Sequence, residues 1–354
     1  MIKYFFGWDF IGLSGAVGLH GPQNPDLPRP DMQIIRRSGD HHVGGGASPE
    51  TMTPPILSDT LILPILSFIQ SFDPKFRSSP LVIGLSGPQG SGKTTLVNRL
   101  VQELSSPPSL LRVVAFSIDD IYLAHEPLVA LGKANPDNKL LQHRGEPGTH
   151  DVELGAKTFE SLLAGKPTPI PSYDKSKFDG NGDRVPSSEW TIAQPPFDVI
   201  LFEGWCLGFQ AISSEEVARK HATSKHPGTL RQHELEHLLY VNEKLKHYSQ
   251  LWDKLDAVVW LNAPDVKFVY SWRLQQEHMM KEAFGRGMTD DQVKVFIDGY
   301  MPAYEMYIDG LMNGALFKEK AGKQILRFDY DKDRNIIDVQ RGYVNDGVIW
   351  KTNS

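Results

Sequence analysis

The sequence predicts an α/β fold in which a central parallel sheet is flanked by helices. Four short apolar runs rich in branched residues, and a fifth towards the C-terminal end, are typical of strands buried on both faces of such a sheet. Helical stretches lie between these runs, and a glycine-rich loop joins the first run to the helix that follows it. Strands that alternate with helices form parallel sheets, whose ligands bind at the carboxyl ends of the strands.

The predicted elements follow one another in a regular order. A helix over 57–72 is expected to pack against the edge of the sheet. After it come strand 81–85, helix 95–104, strand 112–117, strand 197–202, strand 257–261, helix 266–283, helix 290–308 and strand 324–328. Two long segments, 124–190 and 210–253, do not fit simple strand–helix units. We expect both to be insertions that carry specificity, the first rich in proline, glycine and charge, the second helical and polar.

The N-terminal segment 1–50 is rich in glycine and proline, so we expect a loosely ordered extension ahead of a domain over 51–354. It lacks the apolar stretch and small-residue cleavage site of a secretory signal, and its aspartates are unusual for a targeting peptide. Three arginines, Arg29, Arg36 and Arg37, leave a mitochondrial presequence open.

Composition excludes several classes of partner. The chain has 354 residues and a formal net charge of −6, so no global basic field favours nucleic acid. No apolar run approaches the roughly 18 to 20 residues that a membrane-spanning helix needs. Cys206 is the only cysteine, so we expect a reducing compartment, most simply the cytoplasm. The expected protein has no nucleic-acid or membrane partner and is a monomer or a small homo-oligomer.

The glycine-rich loop completely matches the G-x-x-x-x-G-K-[ST] motif, in which backbone N–H groups cradle nucleotide phosphates. The helix that follows adds the positive end of its dipole. Lys93 is expected to reach the β- and γ-phosphates, and Thr94 to ligate Mg²⁺. The predicted cofactors are therefore ATP and Mg²⁺. The residues expected to bind ATP are Gly87, Pro88, Gln89, Gly90, Ser91, Gly92, Lys93, Thr94 and Thr95. The alternative is a glycine-rich turn with an incidental lysine, and the motif alone does not identify the acceptor.

Carboxylates follow two of the other predicted strands. Asp119 and Asp120 come directly after strand 112–117, and Glu203 comes directly after strand 197–202. Phosphoryl transfer to a hydroxyl needs a carboxylate that orients the nucleophile and accepts its proton, and Asp119 is our candidate for this base. Asp120 either contacts a Mg²⁺-bound water or only caps a helix. Glu203 fits a Walker-B carboxylate, or it holds the acceptor hydroxyl instead. The predicted metal site combines Thr94, Asp119 and Glu203.

These features, taken in order with the segment 173–177, resemble the superfamily of uridine kinase, pantothenate kinase and phosphoribulokinase. Within it the chain is most similar to the D-glycerate 3-kinases. The resemblance extends from about residue 80 to about residue 335, and the stretches that carry it are 86–90, 141–154, 180–184, 207–209, 272–275 and 301–304. It implies a P-loop kinase domain that phosphorylates D-glycerate to 3-phosphoglycerate with ATP.

Such an acceptor is a small anion, and the first insertion carries basic residues that suit it. Arginine can bind a carboxylate through two parallel N–H bonds, and Arg184 is the best placed because the neighbouring glycines allow close approach to a ligand. His150 and Asp151 could bind the glycerate hydroxyls. The predicted substrate-binding residues are Asp119, Tyr122, Arg144, His150, Asp151, Tyr173, Lys175, Arg184 and Glu203. The alternative is that these charges form a solvated loop surface.

Arg273, in the helix after strand 257–261, resembles the lid arginine that closes over the transferring phosphoryl group in these kinases. We therefore count it with Asp119 and Lys93 as a predicted catalytic residue. Arg286 is a weaker candidate for the same role. The alternative for Arg273 is an arginine on the helix surface paired with Glu277 one turn away.

A second motif competes with this interpretation. His233, Glu234 and His237 satisfy the H-E-x-x-H pattern of zinc enzymes, but the local sequence is polar and the longer continuation is absent, so a solvated helix is expected. Two other functions stay open. One is a kinase for another small acceptor, similar to pantothenate or uridine kinase; the other is a non-catalytic ATP-binding protein.

Overall fold

The computed structural model describes residues 58–224, 228–285, 287–317, 322–344 and 348–352. The predicted N-terminal extension 1–50 and Arg286 lie outside these ranges. Within them, no helix combines the length and apolar character needed to cross a membrane.

A seven-stranded sheet forms the centre of the fold, in the order β11-β10-β9-β8-β1-β7-β2. The strands are β1 (Leu81–Ser86), β2 (Val113–Ser117), β3 (Thr168–Pro169), β4 (Tyr173–Asp174), β5 (Asp183–Arg184), β6 (Ile192–Ala193), β7 (Val199–Gly204), β8 (Ala257–Asn262), β9 (Gln324–Tyr330), β10 (Ile336–Val344) and β11 (Val348–Thr352). The five predicted strands, β1, β2, β7, β8 and β9, pair in parallel. The predicted α/β class is confirmed. Strands β10 and β11 add an antiparallel edge that was not predicted.

Helices cover the sheet and build the insertions. They are α1 (Asp59–Gln70), α2 (Lys93–Ser105), α3 (His125–Ala134), α4 (Val152–Leu163), α5 (Ser214–Thr223), α6 (Leu235–Leu245), α7 (Ser249–Trp252), α8 (Phe268–Phe284), α9 (Asp290–Asp298) and α10 (Met301–Met312). The prediction of one helix over 290–308 is wrong. Gly299 ends α9, and Pro302, which has no N–H to donate to the preceding turn, stands in the first turn of α10.

The two faces of the sheet are buried in separate apolar clusters. Alternate residues of β1 divide between them, since Leu81, Ile83 and Leu85 pack under α1 and α2 while Val82 faces the cluster built with the insertions. Gly84, in the middle of β1, is needed for close packing, because an added Cβ would lie 2.9 Å from the Leu207 side chain.

The register of the central strands brings three functional segments to one edge. Glu203 of β7 lies opposite Leu85 of β1 and opposite Ser117 of β2. The glycine-rich loop follows β1, and Asp119 follows β2, so all three segments meet at the carboxyl end of the sheet.

Candidate active site

The glycine-rich loop turns from β1 into α2, which begins at Lys93. Two left-handed glycines shape this turn, Gly90 with φ 78° and Gly92 with φ 87°. The Lys93 ammonium donates a hydrogen bond to the carbonyl oxygen of Pro88 at 2.9 Å, so its side chain folds back across the loop. The start of α2 and the Lys93 ammonium together form a site that attracts phosphate.

Thr94 and Glu203 form the second part of the site. The Thr94 hydroxyl donates to both carboxylate oxygens of Glu203, at 3.0 and 3.3 Å, and Glu203 is only 2% exposed. A hydroxyl and a buried carboxylate are the hard oxygen ligands that Mg²⁺ prefers. These two residues fit the predicted metal.

Asp119 projects from the turn after β2 and binds Lys175 of the first insertion, with Nζ 2.7 Å from Oδ2. Its neighbour behaves differently. The Asp120 carboxylate accepts the backbone N–H of Ser117 at 2.8 Å and completes the cap of the short turn Ile118–Ile121. Of the two interpretations of Asp120, the structure therefore supports the cap.

His150 is buried and held by a chain of hydrogen bonds. Its Nδ1 lies 2.6 Å from the hydroxyl of Tyr248, and that hydroxyl oxygen accepts the backbone N–H of Gly148 at 3.0 Å. A phenol oxygen can accept two hydrogen bonds, so the contact allows both directions, with the Tyr248 O–H donating to Nδ1 or the Nδ1–H donating to the hydroxyl oxygen. Burial lowers the pKa of His150 to about 3, so the ring is neutral near pH 7.

The Nε2 atom of His150 has no hydrogen-bond partner among the described residues, although it is buried. The ring stacks on Tyr122, with centroids 4.4 Å apart. A buried polar atom without a partner is costly, so Nε2 is suited to bind a polar atom of a ligand.

Arg144 is 4% exposed and binds the loop at 180–182. Its guanidinium donates to the carbonyl oxygens of Gly180 at 2.7 Å and Asn181 at 2.6 Å, and lies 5.7 Å from the centre of the Tyr173 ring. Position 182, with φ 78°, requires glycine, because an added Cβ would lie 2.4 Å from the Tyr173 side chain. Burial raises the pKa of Tyr173 to about 12, so its hydroxyl is neutral.

Arg184 and Asp151 bind each other in this structure, with Nη1 3.1 Å from Oδ2. Arg184 also donates to the carbonyl oxygen of Tyr122 at 2.7 Å. The other carboxylate oxygen of Asp151 accepts the N–H of Leu154 at 3.0 Å and begins α4. The two residues thus connect the first insertion to the turn after β2, and their roles in substrate binding stay predictions.

Comparison with known proteins identifies the family of the chain. A solved D-glycerate 3-kinase from Cryptococcus neoformans is 35% identical, with a TM-score of 0.71 over 79% of this chain and 99% of that structure. The chain belongs to the D-glycerate 3-kinase family. The chloroplastic D-glycerate 3-kinase of Arabidopsis thaliana is 38% identical over 73% of this chain and 54% of its own length. An uncharacterized kinase of Schizosaccharomyces pombe is 41% identical over 70% of this chain and 88% of its own length. No model of a protein family matches the chain.

Membership of this family makes the chain an ATP-dependent phosphotransferase with a P-loop that binds ATP. The resemblance noted from the sequence is confirmed.

The arginine predicted to close over the phosphoryl group has a buried partner. The Arg273 guanidinium binds the Glu277 carboxylate, and their side chains are only 5% and 3% exposed. It also lies 5.1 Å from the centre of the Phe296 ring of α9. The pairing with Glu277 is the alternative weighed from the sequence, but it is buried between α8 and α9 instead of solvated. A contact of Arg273 with the transferring phosphoryl group stays a prediction.

The H-E-x-x-H pattern does not form a zinc-binding helix in this kinase. Helix α6 begins at Leu235, and His233 precedes it with extended backbone, so His233 and His237 do not lie one helical turn apart. Over the residues described above, no group of three or more His, Cys, Asp or Glu side chains is placed to hold a metal ion.

Three residues near the family's site had no role in the sequence analysis. Tyr248 comes from the second insertion, where a polar helical pattern gave no sign of it. Tyr304 of α10 accepts the backbone N–H of Gln89 at 3.3 Å, and Arg334 donates to the carbonyl oxygen of Gly90 at 2.8 Å. The stretch 301–304 had contributed to the resemblance, which was the one available signal for Tyr304.

Proposed function

We propose that this kinase transfers the γ-phosphoryl group of ATP to the 3-hydroxyl of D-glycerate, giving 3-phosphoglycerate. The observation that carries the proposal is the position of the Asp119 carboxylate, which lies at the carboxyl edge of the sheet, bound to Lys175 of the basic first insertion. A base next to a cation suits an acceptor that has both a hydroxyl to deprotonate and a carboxylate to hold.

In the proposed reaction, the acceptor hydroxyl oxygen forms a bond to the γ-phosphorus while the bond from that phosphorus to the β–γ bridging oxygen breaks. The hydroxyl proton passes to Asp119, and ADP leaves. Lys93 would stabilise the charge that develops on the phosphates. Mg²⁺ held by Thr94 and Glu203 would neutralise part of the same charge. The protein forms no covalent bond to the substrate or to the phosphoryl group in the proposed step.

Acceptor binding would involve the donors of the first insertion. In the proposal, the Tyr248 O–H donates to Nδ1 of His150, so that the buried Nε2–H would donate to a glycerate oxygen. Lys175 would bind the carboxylate near Asp119. Relatives named D-glycerate 3-kinase support glycerate over other acceptors. The basic insertion alone does not separate glycerate from pantothenate, since both carry a carboxylate.

The acceptor is tested by an ADP-release assay with D-glycerate, L-glycerate, pantothenate, uridine and ribulose 5-phosphate at saturating MgATP. We expect turnover with D-glycerate at least about 100-fold above the other acceptors, and 3-phosphoglycerate as the product. Activity confined to one of the other acceptors would contradict the substrate but leave the kinase assignment intact. Nucleotide binding with no turnover on any acceptor would favour a non-catalytic ATP-binding protein.

Replacing Tyr248 with Phe tests the hydrogen-bond chain to His150. Without the phenolic hydroxyl, Nδ1 of His150 loses its donor, and the ring is free to adopt the tautomer in which Nε2 accepts. We expect the KM for the acceptor to rise about tenfold, corresponding to ~1.4 kcal/mol, with little change in the KM for ATP.

The matched control is Tyr307→Phe, which removes another buried tyrosine hydroxyl, on α10 beside Phe209. It should leave the KM for the acceptor unchanged. If Tyr248→Phe also leaves that KM unchanged, the tautomer of His150 has no part in acceptor binding.

A further inference from the structure

The turn between β9 and β10 has a fixed shape that is set by Asp331. One Asp331 carboxylate oxygen accepts the backbone N–H groups of Asp333 and Asn335, each at 2.8 Å, and the other accepts the Asn335 side-chain amide at 2.9 Å. The backbone N–H of Arg334 donates to the Asp331 carbonyl oxygen at 3.1 Å, and Arg334 has a left-handed φ of 65°. The turn therefore presents the Arg334 side chain in one direction.

That direction is towards the phosphate loop. Arg334 Nε donates to the carbonyl oxygen of Gly90 at 2.8 Å, and Nη1 donates to the Gln275 side chain of α8 at 2.7 Å. The guanidinium lies 5.2 Å from the centre of the Trp272 ring. The Trp272 indole N–H in turn donates to the carbonyl oxygen of Lys332 at 2.7 Å, so the turn and α8 hold each other at this point.

The same part of the loop is enclosed on two further sides. An added Cβ at Gly90 would lie 2.8 Å from the Cβ of Trp272, so the loop backbone packs directly on α8. At Gln89, the backbone N–H donates to the Tyr304 hydroxyl oxygen at 3.3 Å, and that hydroxyl donates to the Gln89 side chain. Three separate elements thus hold the tip of the loop, at Gln89 and Gly90.

We propose that Arg334 is a positioning residue for phosphate binding, acting through the peptide bond between Gly90 and Ser91. In a planar trans peptide, the carbonyl and the N–H point in opposite directions. With the Gly90 carbonyl bound to Arg334, the Ser91 N–H points the other way and donates to the Pro88 carbonyl oxygen at 3.2 Å, the oxygen that also accepts the Lys93 ammonium at 2.9 Å. A phosphate oxygen would take the place of this acceptor when nucleotide binds. The proposal rests on the loop as the ATP site and does not depend on which acceptor is phosphorylated.

The test is equilibrium binding of MgATP and of a non-hydrolysable ATP analogue to the full chain, without acceptor, for Arg334→Ala and Arg334→Lys. Loss of the Nε donor frees the peptide to rotate, so we expect Arg334→Ala to weaken nucleotide binding at least about tenfold. Arg334→Lys keeps the charge but not the planar donor pair, and should weaken binding about threefold or more. In steady state, the KM for ATP should rise while the KM for the acceptor does not.

Arg341→Ala is the matched control. This arginine lies on the same hairpin and makes the same kinds of contact, donating to the Gln324 side chain at 2.8 Å and lying 5.0 Å from the centre of the Phe68 ring. It should lower the melting temperature with no change in nucleotide affinity. The proposal is wrong if Arg334→Lys binds nucleotide as the wild type does, and Arg334→Ala does so as well where it folds. It is also wrong if Arg341→Ala weakens binding equally, because Arg334 then has only a general stabilising role.

Discussion

Asp119→Asn should reduce turnover by about three orders of magnitude while nucleotide binding stays intact. The substitution preserves the shape of the side chain but removes the group that takes the proton, and a positioned base contributes roughly 10²- to 10⁴-fold to rate. The loss should therefore fall on kcat. The Lys175 ammonium would lose its charged partner 2.7 Å away, so a modest change in acceptor KM is expected as well. Steady-state kinetics together with a nucleotide titration separate the two effects.

Asp120→Asn is the matched control, because it makes the same chemical change one position along the chain. An asparagine oxygen can still accept the Ser117 N–H that Asp120 accepts at 2.8 Å, so this variant should keep most of its turnover. A reversal of the two results, with Asp120→Asn inactive and Asp119→Asn active, would remove Asp119 from the proposed mechanism.

Glu203→Gln should lower kcat about 100-fold, or ~2.7 kcal/mol in the barrier, and raise the Mg²⁺ concentration for half-maximal activity. In the wild type, the Thr94 hydroxyl donates to the Glu203 carboxylate at 3.0 Å. The amide oxygen of glutamine can still accept this hydrogen bond, so the structure of the site should be preserved. What is lost is the negative charge that would bind the cation. A Mg²⁺ titration of activity is the measurement.

Substitutions at Thr94 make this test specific to the metal. Thr94→Val removes the hydroxyl and should act like Glu203→Gln, whereas Thr94→Ser keeps the hydroxyl and should remain active. If Glu203→Gln leaves the Mg²⁺ dependence unchanged but raises the KM for the acceptor, Glu203 holds the acceptor hydroxyl, which is the alternative considered from the sequence.

The strands of the sheet could be predicted because their burial is visible in composition. Strands β1, β7 and β8 are buried at every position, and they are apolar runs up to the polar residues near their carboxyl ends, Ser86, Glu203 and Asn262. Strand β10 is different. It lies between β9 and β11, mixes polar with apolar residues over 336–344, and contains Gly342, so no simple pattern marked it as a strand. Likewise, the apolar periodicity of 290–308 continued across the point where a new helix begins at Met301, with Pro302 in its first turn.

The site was partly predictable for a related reason. Lys93, Thr94 and Asp119 immediately follow strands or the loop, so their positions at the edge of the sheet are set by local sequence. Contacts between distant segments leave no such local signal. The pair of Arg184 with Asp151 depends on how the first insertion folds on itself, and that of His150 with Tyr248 depends on how the two insertions pack against each other. The pairing of Arg273 with Glu277 could be considered from their spacing, but the burial of that pair depends on packing between helices, which the sequence did not indicate.

The support of the phosphate loop has a consequence for the synthesis of the chain. Tyr304 and Arg334 contact the loop from 215 and 244 residues further along the sequence. When the glycine-rich motif leaves the ribosome during synthesis, the loop therefore still lacks these two contacts. Contacts between residues so far apart in sequence are also slow to form. With the proposed role of Arg334, we expect full affinity for nucleotide only after residue 334 has left the ribosome.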